Sequence, residues 1–421
     1  MQRLVINGGK RLSGTVAVSG AKNAALPILA ATIMTEGRTR LDNVPDVADI
    51  DSMCKLLVSL GVEIERADDD AHALEVSMGE LSSLEAPYDL VRKMRASVIV
   101  LGPMLARYGR ARVSMPGGCA IGERPINMHL SALKKMGADI NIDHGYVEAQ
   151  ATRLVGAEIC LDYPTVGGTE NIICAAALAK GVTVIENAAK EPEVVDLADF
   201  LNKAGARISG AGTHRVQIEG VKSLSGVEYN IIPDRIEAGT HAIAAAITGG
   251  EVTVARCNPN HLSVPIEKLC EAGCEVKTTV DSLTVTAGER PRAVNIMTQP
   301  YPGYPTDLQA QWLALMTLAD GASVVKETVF ERRFTHVQEL RRMGARVTVD
   351  GDTAVVTGVE RLCGAPVMCT DIRASASLVL AGLAAENTTV ISRVYHLDRG
   401  YERIEAKLQA LGADIVREEA V

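Results

Sequence analysis

Cys119 has the type and setting that most plainly suit chemistry. It lies in the run SMPGGCAIGERP, with Gly117 and Gly118 before it, Gly122 after it and Arg124 five positions on. A nearby guanidinium lowers a thiol pKa and a loop keeps the thiol accessible. The alternative is an incidental exposed thiol. Charged residues also gather where Ala-rich helices are expected to begin: Lys22-Asn23, Arg95, Thr169-Glu170-Asn171, Arg235 with Glu237, Asp307 with Gln309, and Asp371 with Arg373. Helix N-termini present free N–H groups and positive partial charge, which favour anions. Acidic residues there also read as helix caps. Cations there work against the dipole, so Lys22, Arg95 and Arg373 ask for a functional reason.

The elements that must carry these residues repeat. Six segments read as a helix closed by Gly and followed by a β-like run: LVSLGVEIE, LKKMGADIN, LNKAGARIS, LCEAGCEVK, LRRMGARVT and LQALGADIV. Their glycines are Gly61, Gly137, Gly205, Gly273, Gly344 and Gly412, at intervals of 76, 68, 68, 71 and 68. A second series ends Ala-rich helices at Gly37, Gly109, Gly181, Gly250, Gly321 and Asn387. Gly, or Asn in its place, supplies the left-handed turn that ends a helix. Two phased series of six predict six α/β units of about 70 residues. Two lobes of three units would meet near residues 229–235. The second unit carries about four extra residues, which fall in 114–125. That makes 114–125, with its glycines between Pro116 and Pro125, a candidate lid.

Composition bounds the rest. Of 421 residues, 47% are hydrophobic and only 3% aromatic, so a large core must be packed with Ala, Val, Leu and Ile. Lys plus Arg is 43 and Asp plus Glu 52, a net −9, which argues against nucleic acid as a partner. A small anionic substrate needs only a local cationic pocket. The start lacks a secretory core, and the longest near-apolar stretch, 96–106, is too short to span a bilayer; the expectation is a cytoplasmic protein with no membrane partner. Nine cysteines contain no CxxC pair, and Cys270 and Cys274 have no histidine pair at ligand spacing, so no metal is expected. Most thiols, Cys174 and Cys54 among them, are expected to be buried. Trp312 is expected in the core. His129 reads equally as a pocket or a helix-surface residue. Thr335 and Gln338 read as a capping box. GGK at 8–10 lacks the frame of a phosphate-binding P-loop.

Several runs together resemble one family. GAKNAALP around Lys22, PGGCAIGERP around Cys119, YPTDLQAQ around Asp307, TDIRASASLVLAG around Arg373 and DRGYERIE around Arg399 are similar to the enolpyruvyl transferases, and within them to the UDP-N-acetylglucosamine 1-carboxyvinyltransferases. The resemblance covers essentially the whole chain. The Cys-bearing loop separates it from the sister family, 5-enolpyruvylshikimate-3-phosphate synthase, which shares the sixfold fold without that loop. The resemblance implies an α/β fold: a two-lobed inside-out α/β barrel of six repeats, three per lobe. Residues 1–21 and 233–421 would form the C-terminal lobe, closed by the N-terminal strand. Residues 22–232 would form the N-terminal lobe, with the 114–125 loop.

It also implies a reaction: transfer of enolpyruvyl from phosphoenolpyruvate to the 3′-hydroxyl of UDP-N-acetylglucosamine, with release of phosphate, through a tetrahedral ketal. This is the first committed step of peptidoglycan synthesis. Cys119 would be the acid and Asp307 the base, with Lys22, Arg399 and Asp371 also in the catalytic set. Phosphoenolpyruvate would be held by Lys22, Asn23, Arg124, Arg333, Arg373 and Arg399; for Arg333 and Arg399 this rests on the resemblance alone. The nucleotide sugar would meet Asn23, Arg95, Arg124, Pro125, Ile126, Asn127, Met128, Thr165, Val166, Gly167, Asp307 and Val329. No cofactor is implied. Two departures touch affinity: Asn127 stands where some members have Asp, and Tyr163 where some have Lys. A shikimate-type acceptor and a non-catalytic nucleotide-sugar binder are the competing readings; the second expects losses among Cys119, Asp307 and the cations, and none is lost.

Overall fold

The computed structural model describes residues 2–92, 94–115, 126–288 and 290–419, with the backbone alone at Arg95. The chain is α/β with mixed sheets, and it divides into two compact units. Among the described residues, one unit holds 2–19 and 233–419 and the other 20–115 and 126–232. Each has its own apolar core.

Among the described residues, each unit contains three four-stranded sheets with one shared pattern: a parallel pair, then two antiparallel neighbours. In one, Glu158–Cys160 runs parallel to Val182–Glu186, followed by antiparallel Arg215–Glu219 and Arg207–Ser209. Helix Val166–Ala177 crosses over between the parallel strands, which cannot be joined by a tight turn. Along Arg215–Glu219 exposed and buried residues alternate, so one face packs inward and the other meets solvent. In the other unit the N-terminal strand Gln2–Asn7 lies between Thr388–Ser392 and Asp414–Glu419, antiparallel to both. Strand Ser13–Ala17 runs parallel to Glu251–Ala255.

The Ala-rich helices lie inside. Helices Arg235–Thr248, Gln309–Met316 and Ile372–Ala384 pack on one another in one unit. In the other, Val166–Ala177 packs on both Lys22–Ala31 and Leu101–Tyr108. A helix apolar on all sides is buried on all sides. Small side chains let the backbones approach: a Cβ at Gly102 would stand 2.3 Å from the Asn171 carbonyl oxygen. Trp312, fully buried, donates from Nε1 to the Val294 carbonyl at 3.3 Å and meets Tyr304 edge-on.

Left-handed φ appears at eleven of the twelve markers, but in the second series only Gly109 closes a helix: Gly37 separates strands Thr35–Glu36 and Arg38–Asp42, and Gly181, Gly321 and Asn387 come directly before strands, past the ends of helices Val166–Ala177, Gln309–Met316 and Ile372–Ala384. All six of the first series have positive φ, as do Gly37, Gly109, Gly181, Gly321 and Asn387. The exception is Gly250. Helix Arg235–Thr248 is closed by Gly249, at φ 62°, while Gly250 lies against the Leu12 carbonyl, 2.1 Å from where a Cβ would be. The thiols are also less buried than expected: Cys160, Cys270 and Cys363 are exposed and Cys54 is half-buried, while Cys174, Cys257, Cys274 and Cys369 are buried. Among the described residues, no helix is long and apolar enough to cross a membrane.

A buried carboxylate ties the N-terminal segment to its unit. Glu237, in the first turn of helix Arg235–Thr248, accepts from the Ser19 backbone N–H at 2.8 Å and from Lys407 Nζ at 2.5 Å. Lys407 also donates to Ser19 Oγ at 2.8 Å, and Ser19 Oγ donates to Glu402 at 2.5 Å. Burial alone would raise the Glu237 pKa; His241 and Lys407 outweigh it and hold the carboxyl down to about 2. His241 Nε2 is 3.6 Å away, too long for a hydrogen bond, so Lys407 supplies the direct contact.

The folded-state value lies below the ordinary 4.5, so this stabilisation is complete above about pH 4.5 and fades as pH falls toward 2. Glu237→Gln should therefore lower stability at neutral pH, and its deficit should shrink as pH falls through that window, read by denaturant unfolding at each pH. A deficit that stays constant from about pH 6 to about pH 3 would contradict the assignment.

Candidate active site

In the unit of residues 2–19 and 233–419, three separate segments converge on Asp307. This residue lies in the 3-10 turn Thr306–Leu308 that leads into helix Gln309–Met316. Arg333 donates from Nη2 to Asp307 Oδ1 at 2.7 Å, and Arg373 from Nη2 to Oδ2 at 3.0 Å. The two arginine side chains are 5% and 6% exposed against 25% for Asp307, so the carboxylate is the accessible member. Arg333 Nε and Arg373 Nη1 are buried with no hydrogen-bond partner among the described residues. An unmatched buried N–H is costly, and an anion supplies the strongest acceptors for a guanidinium.

The surroundings keep both cations charged and oriented. Burial works against the Arg373 charge, but Asp307, Tyr401 and Asp234 hold its pKa above the ordinary value. Its guanidinium carbon lies 5.5 Å from the centre of the Tyr401 ring. Tyr401 is held in turn by Thr240 at 2.9 Å and Gln311 at 3.1 Å, and Gln311 Nε2 also donates to the Asp307 carbonyl at 3.0 Å. Arg333 lies over the Phe330 ring at 4.9 Å and donates from Nη1 to Thr306 Oγ1 at 2.9 Å.

Asp371 is the N-cap of helix Ile372–Ala384. Its Oδ1 accepts from the Arg373 and Ala374 backbone N–H groups, both at 3.0 Å. The cap sets the rotation of the helix that carries Arg373. The other oxygen accepts from Thr335 Oγ1 at 3.2 Å. That contact corrects the capping-box expectation: helix Val337–Arg342 has His336 at its N-cap with no side-chain cap bond, and Thr335 turns to Asp371 instead. Burial pushes the pKa of the enclosed His336 down to about 4. Arg399 is half-buried in the turn 397–400, two residues before Tyr401. The neighbouring Asp398 is engaged by Arg417 at 2.7 and 3.0 Å. Val329 is placed by its backbone N–H, which donates to Glu327 Oε1 at 2.9 Å.

The other unit holds a second group. Lys22 opens helix Lys22–Ala31 and is nearly buried; its Nζ pairs with Asp49 at 3.0 Å, which offsets the unfavourable helix-dipole position. Asn23, beside it, is half-buried. Asn171 joins three more segments. It donates to the Val98 carbonyl at 3.2 Å, accepts from the Gly102 N–H at 2.6 Å and bonds His129 Nδ1 at 3.1 Å. Val98 belongs to the turn Arg95–Val100, and His129 to helix Asn127–Lys135, whose first turn holds Asn127 and Met128 and whose N-cap is Ile126. Thr165 caps the helix that carries Asn171, accepting from Gly168 N at 3.3 Å; Val166 and Gly167 open it.

His129 is thus buried, which rules out the helix-surface reading, and burial lowers its pKa to about 4. With Asn171 donating to Nδ1, the imidazole proton is assigned to Nε2, on the side that faces Gly167. The Arg95 side chain, Cys119, Arg124 and Pro125 lie outside the described residues. Sequence reading missed Glu327, Thr306, Tyr401 and Asp49 altogether, and noticed Asn171 only as a residue near a helix start. No spacing rule marks them, because each acts through a partner distant in sequence.

Asn171→Ala should strand the Gly102 N–H and the Val98 carbonyl and release His129. The expected loss is about 1–3 kcal/mol of stability in this unit, read by denaturant unfolding. A wild-type unfolding curve would show that the hub holds nothing together.

Comparison with known proteins agrees with this chemistry. Residues 6–408 match the family model described as EPSP synthase (3-phosphoshikimate 1-carboxyvinyltransferase). The UDP-N-acetylglucosamine 1-carboxyvinyltransferase of Geobacter metallireducens is 57% identical over 417 residues, 99% of each chain. That of Myxococcus xanthus is 57% identical over 420 residues, 100% of each. Among solved structures, the enolpyruvyl transferase NikO from Streptomyces tendae matches with TM-score 0.89 at 27% identity, covering 100% of this chain and 99% of that one. EPSP synthase from Acinetobacter baumannii matches with TM-score 0.77 over 100% of both chains; at 18% identity that likeness speaks for the fold alone. The chain belongs to the enolpyruvyl transferase family, among the UDP-N-acetylglucosamine 1-carboxyvinyltransferases.

Proposed function

We propose that this protein transfers the enolpyruvyl group of phosphoenolpyruvate to the 3′-hydroxyl of UDP-N-acetylglucosamine, releasing phosphate. The observation that carries the reading is the 57% identity, over essentially the whole chain, to enzymes of that name. The reaction is an addition followed by an elimination. The sugar oxygen bonds to C2 of phosphoenolpyruvate as its proton leaves, and C3 gains a proton to become a methyl group. The tetrahedral ketal then expels phosphate as C3 loses a proton, restoring the double bond.

Within this reading Asp307 is the base for the hydroxyl proton and Cys119 the acid toward C3. Lys22, Arg124, Arg333, Arg373 and Arg399 hold the phosphate and carboxylate, with Asn23 beside Lys22. What supports the part of Arg333 and Arg373 is their burial at Asp307, each with an N–H that has no partner among the described residues. Asp371 contributes by capping the helix of Arg373. The nucleotide sugar is assigned to Asn23, Arg95, Arg124, Pro125, Ile126, Asn127, Met128, Thr165, Val166, Gly167, Asp307 and Val329. The architecture we assign is the inside-out α/β barrel of six repeats, with residues 22–232 as the N-terminal lobe and 1–21 with 233–421 as the C-terminal lobe. The setting is the cytoplasm, where both substrates are small molecules.

Mixing the protein with phosphoenolpyruvate and UDP-N-acetylglucosamine should release inorganic phosphate; shikimate 3-phosphate as acceptor should not. Release with shikimate 3-phosphate alone would favour the sister reaction. Asp307→Ala should lower turnover on the order of 10²–10⁴-fold, and an undiminished rate would remove Asp307 from the base role. Cys119→Ser should reduce turnover and abolish alkylation by fosfomycin; an unimpaired rate would remove Cys119 from the acid role.

A further inference from the structure

Glu327 follows strand Ala322–Lys326 and is 2% exposed. Such a carboxylate must have its lone pairs filled, and here every contact is a donor to it. Its Oε1 accepts from Thr298 Oγ1 at 2.8 Å, from Val329 N at 2.9 Å and from Phe330 N at 3.1 Å. Its Oε2 accepts from Thr306 Oγ1 at 2.8 Å. The Thr306 hydrogen is therefore committed to Glu327, which turns a lone pair of the same hydroxyl toward Arg333 Nη1 at 2.9 Å. The next residue, Asp307, takes Arg333 Nη2 at 2.7 Å. One end of the guanidinium thus grips the candidate base, and the other is anchored through Thr306 to a buried anion. The ring of Phe330, whose backbone Glu327 also holds, lies under the same guanidinium.

We infer that Glu327 is a positioning residue for the Asp307–Arg333 pair, acting through the Thr306 hydroxyl. The inference rests on the proposed transfer reaction. Every link in the relay points the same way, from guanidinium to hydroxyl to carboxylate, so the hydrogen bonds polarise one another cooperatively. The relay holds Arg333 against Asp307, while Arg333 Nε has no partner among the described residues. It also sets the Val329 backbone, which joins one of the nucleotide-sugar positions to the same anchor.

Glu327→Gln reverses the relay. Three donors converge on Oε1, so the amide oxygen takes that side and its NH2 faces Thr306. The Thr306 hydroxyl must then accept from the amide, and its own hydrogen loses its acceptor. Thr306→Val breaks the same relay by removing the one donor to Glu327 Oε2 among the described residues, and leaves the hold of Oε1 on Val329 and Phe330 in place. Thr306→Ser keeps the hydroxyl and is the conservative rescue.

The experiment is a double-mutant cycle on phosphate release, with nucleotide-sugar affinity measured by calorimetry. Glu327→Gln and Thr306→Val should each lower kcat/KM by about tenfold or more. The double variant should lose no more than the worse single, and Thr306→Ser should stay within about twofold of wild type. Losses that multiply in the double variant, or a Thr306→Val enzyme with wild-type kcat/KM, would overturn the relay. If Glu327→Gln does not fold, the comparison of Thr306→Val with Thr306→Ser decides. Wild-type release with UDP-N-acetylglucosamine is the control on the reaction itself. If that control fails, the proposed reaction falls, and the relay is read without turnover from the 15N–1H signals of the Arg333 guanidinium, assigned with Arg333→Lys. They should shift in Thr306→Val and stay in place in Thr306→Ser; no shift in Thr306→Val would overturn the relay.

Discussion

Asp307 is held between two guanidiniums that are themselves almost wholly removed from water. Much of the order around the candidate site follows from that constraint. Burying a cation is costly unless it is paired and hydrogen-bonded, so Arg333 and Arg373 require an anion between them. They come from different segments, and meeting at one carboxylate fixes the segments relative to one another. Tyr401, Gln311 and Thr240 pack beneath Arg373, and Thr306 and Phe330 hold Arg333. The N–H groups of the same guanidiniums that find no partner among the described residues suit a phosphate or carboxylate, the anions that the proposed reaction brings.

The other unit uses a neutral hub for the same task. Asn171, fully buried, has both an acceptor and two donors, so it can join a carbonyl, an N–H and an imidazole nitrogen at once. The turn that begins at Arg95, the helix start at Asn127 and the helix start at Val166 are brought together this way. Lys22 and Asp49 add a buried ion pair in the same unit. Among the candidate residues, Lys22 and Arg373 stand in the first turns of buried helices and Asp307 just before one, where the positive end of the dipole favours anions.

Much of the framework is legible from the sequence. A glycine that ends a helix is a local feature, set by the φ that only Gly or Asn reaches cheaply, so the first glycine series locates six helix ends, while four markers of the second series take the same φ in turns that lead into strands. Gly250 is instructive: the pair Gly249-Gly250 contains one residue chosen for left-handed φ and one chosen for lack of a side chain, and composition alone does not tell them apart. Asp371 was open to two readings, and the cap geometry supports the structural one while still tying the residue to Arg373. The Thr335–Gln338 capping box does not form because the helix begins one residue later, with His336 at its N-cap, and the Thr335 hydroxyl instead donates to Asp371, 36 residues away.

The sequence by itself determined the α/β class, the six helix ends of the first glycine series, the helix starts where charged residues gather, the net negative composition and, through its motifs, the family. These depend on local backbone preference and on residue identity, both carried by short stretches of chain. Tertiary structure alone decided which charges meet. Arg333 and Arg373 reach Asp307 across 26 and 66 positions, and Asn171 reaches His129 across 42. Glu327, Thr306 and Tyr401 acquire their importance only through such contacts. The physical reason is that a buried polar group is worth what its partner makes it worth, and the partner is chosen by packing, which no periodicity along the chain records.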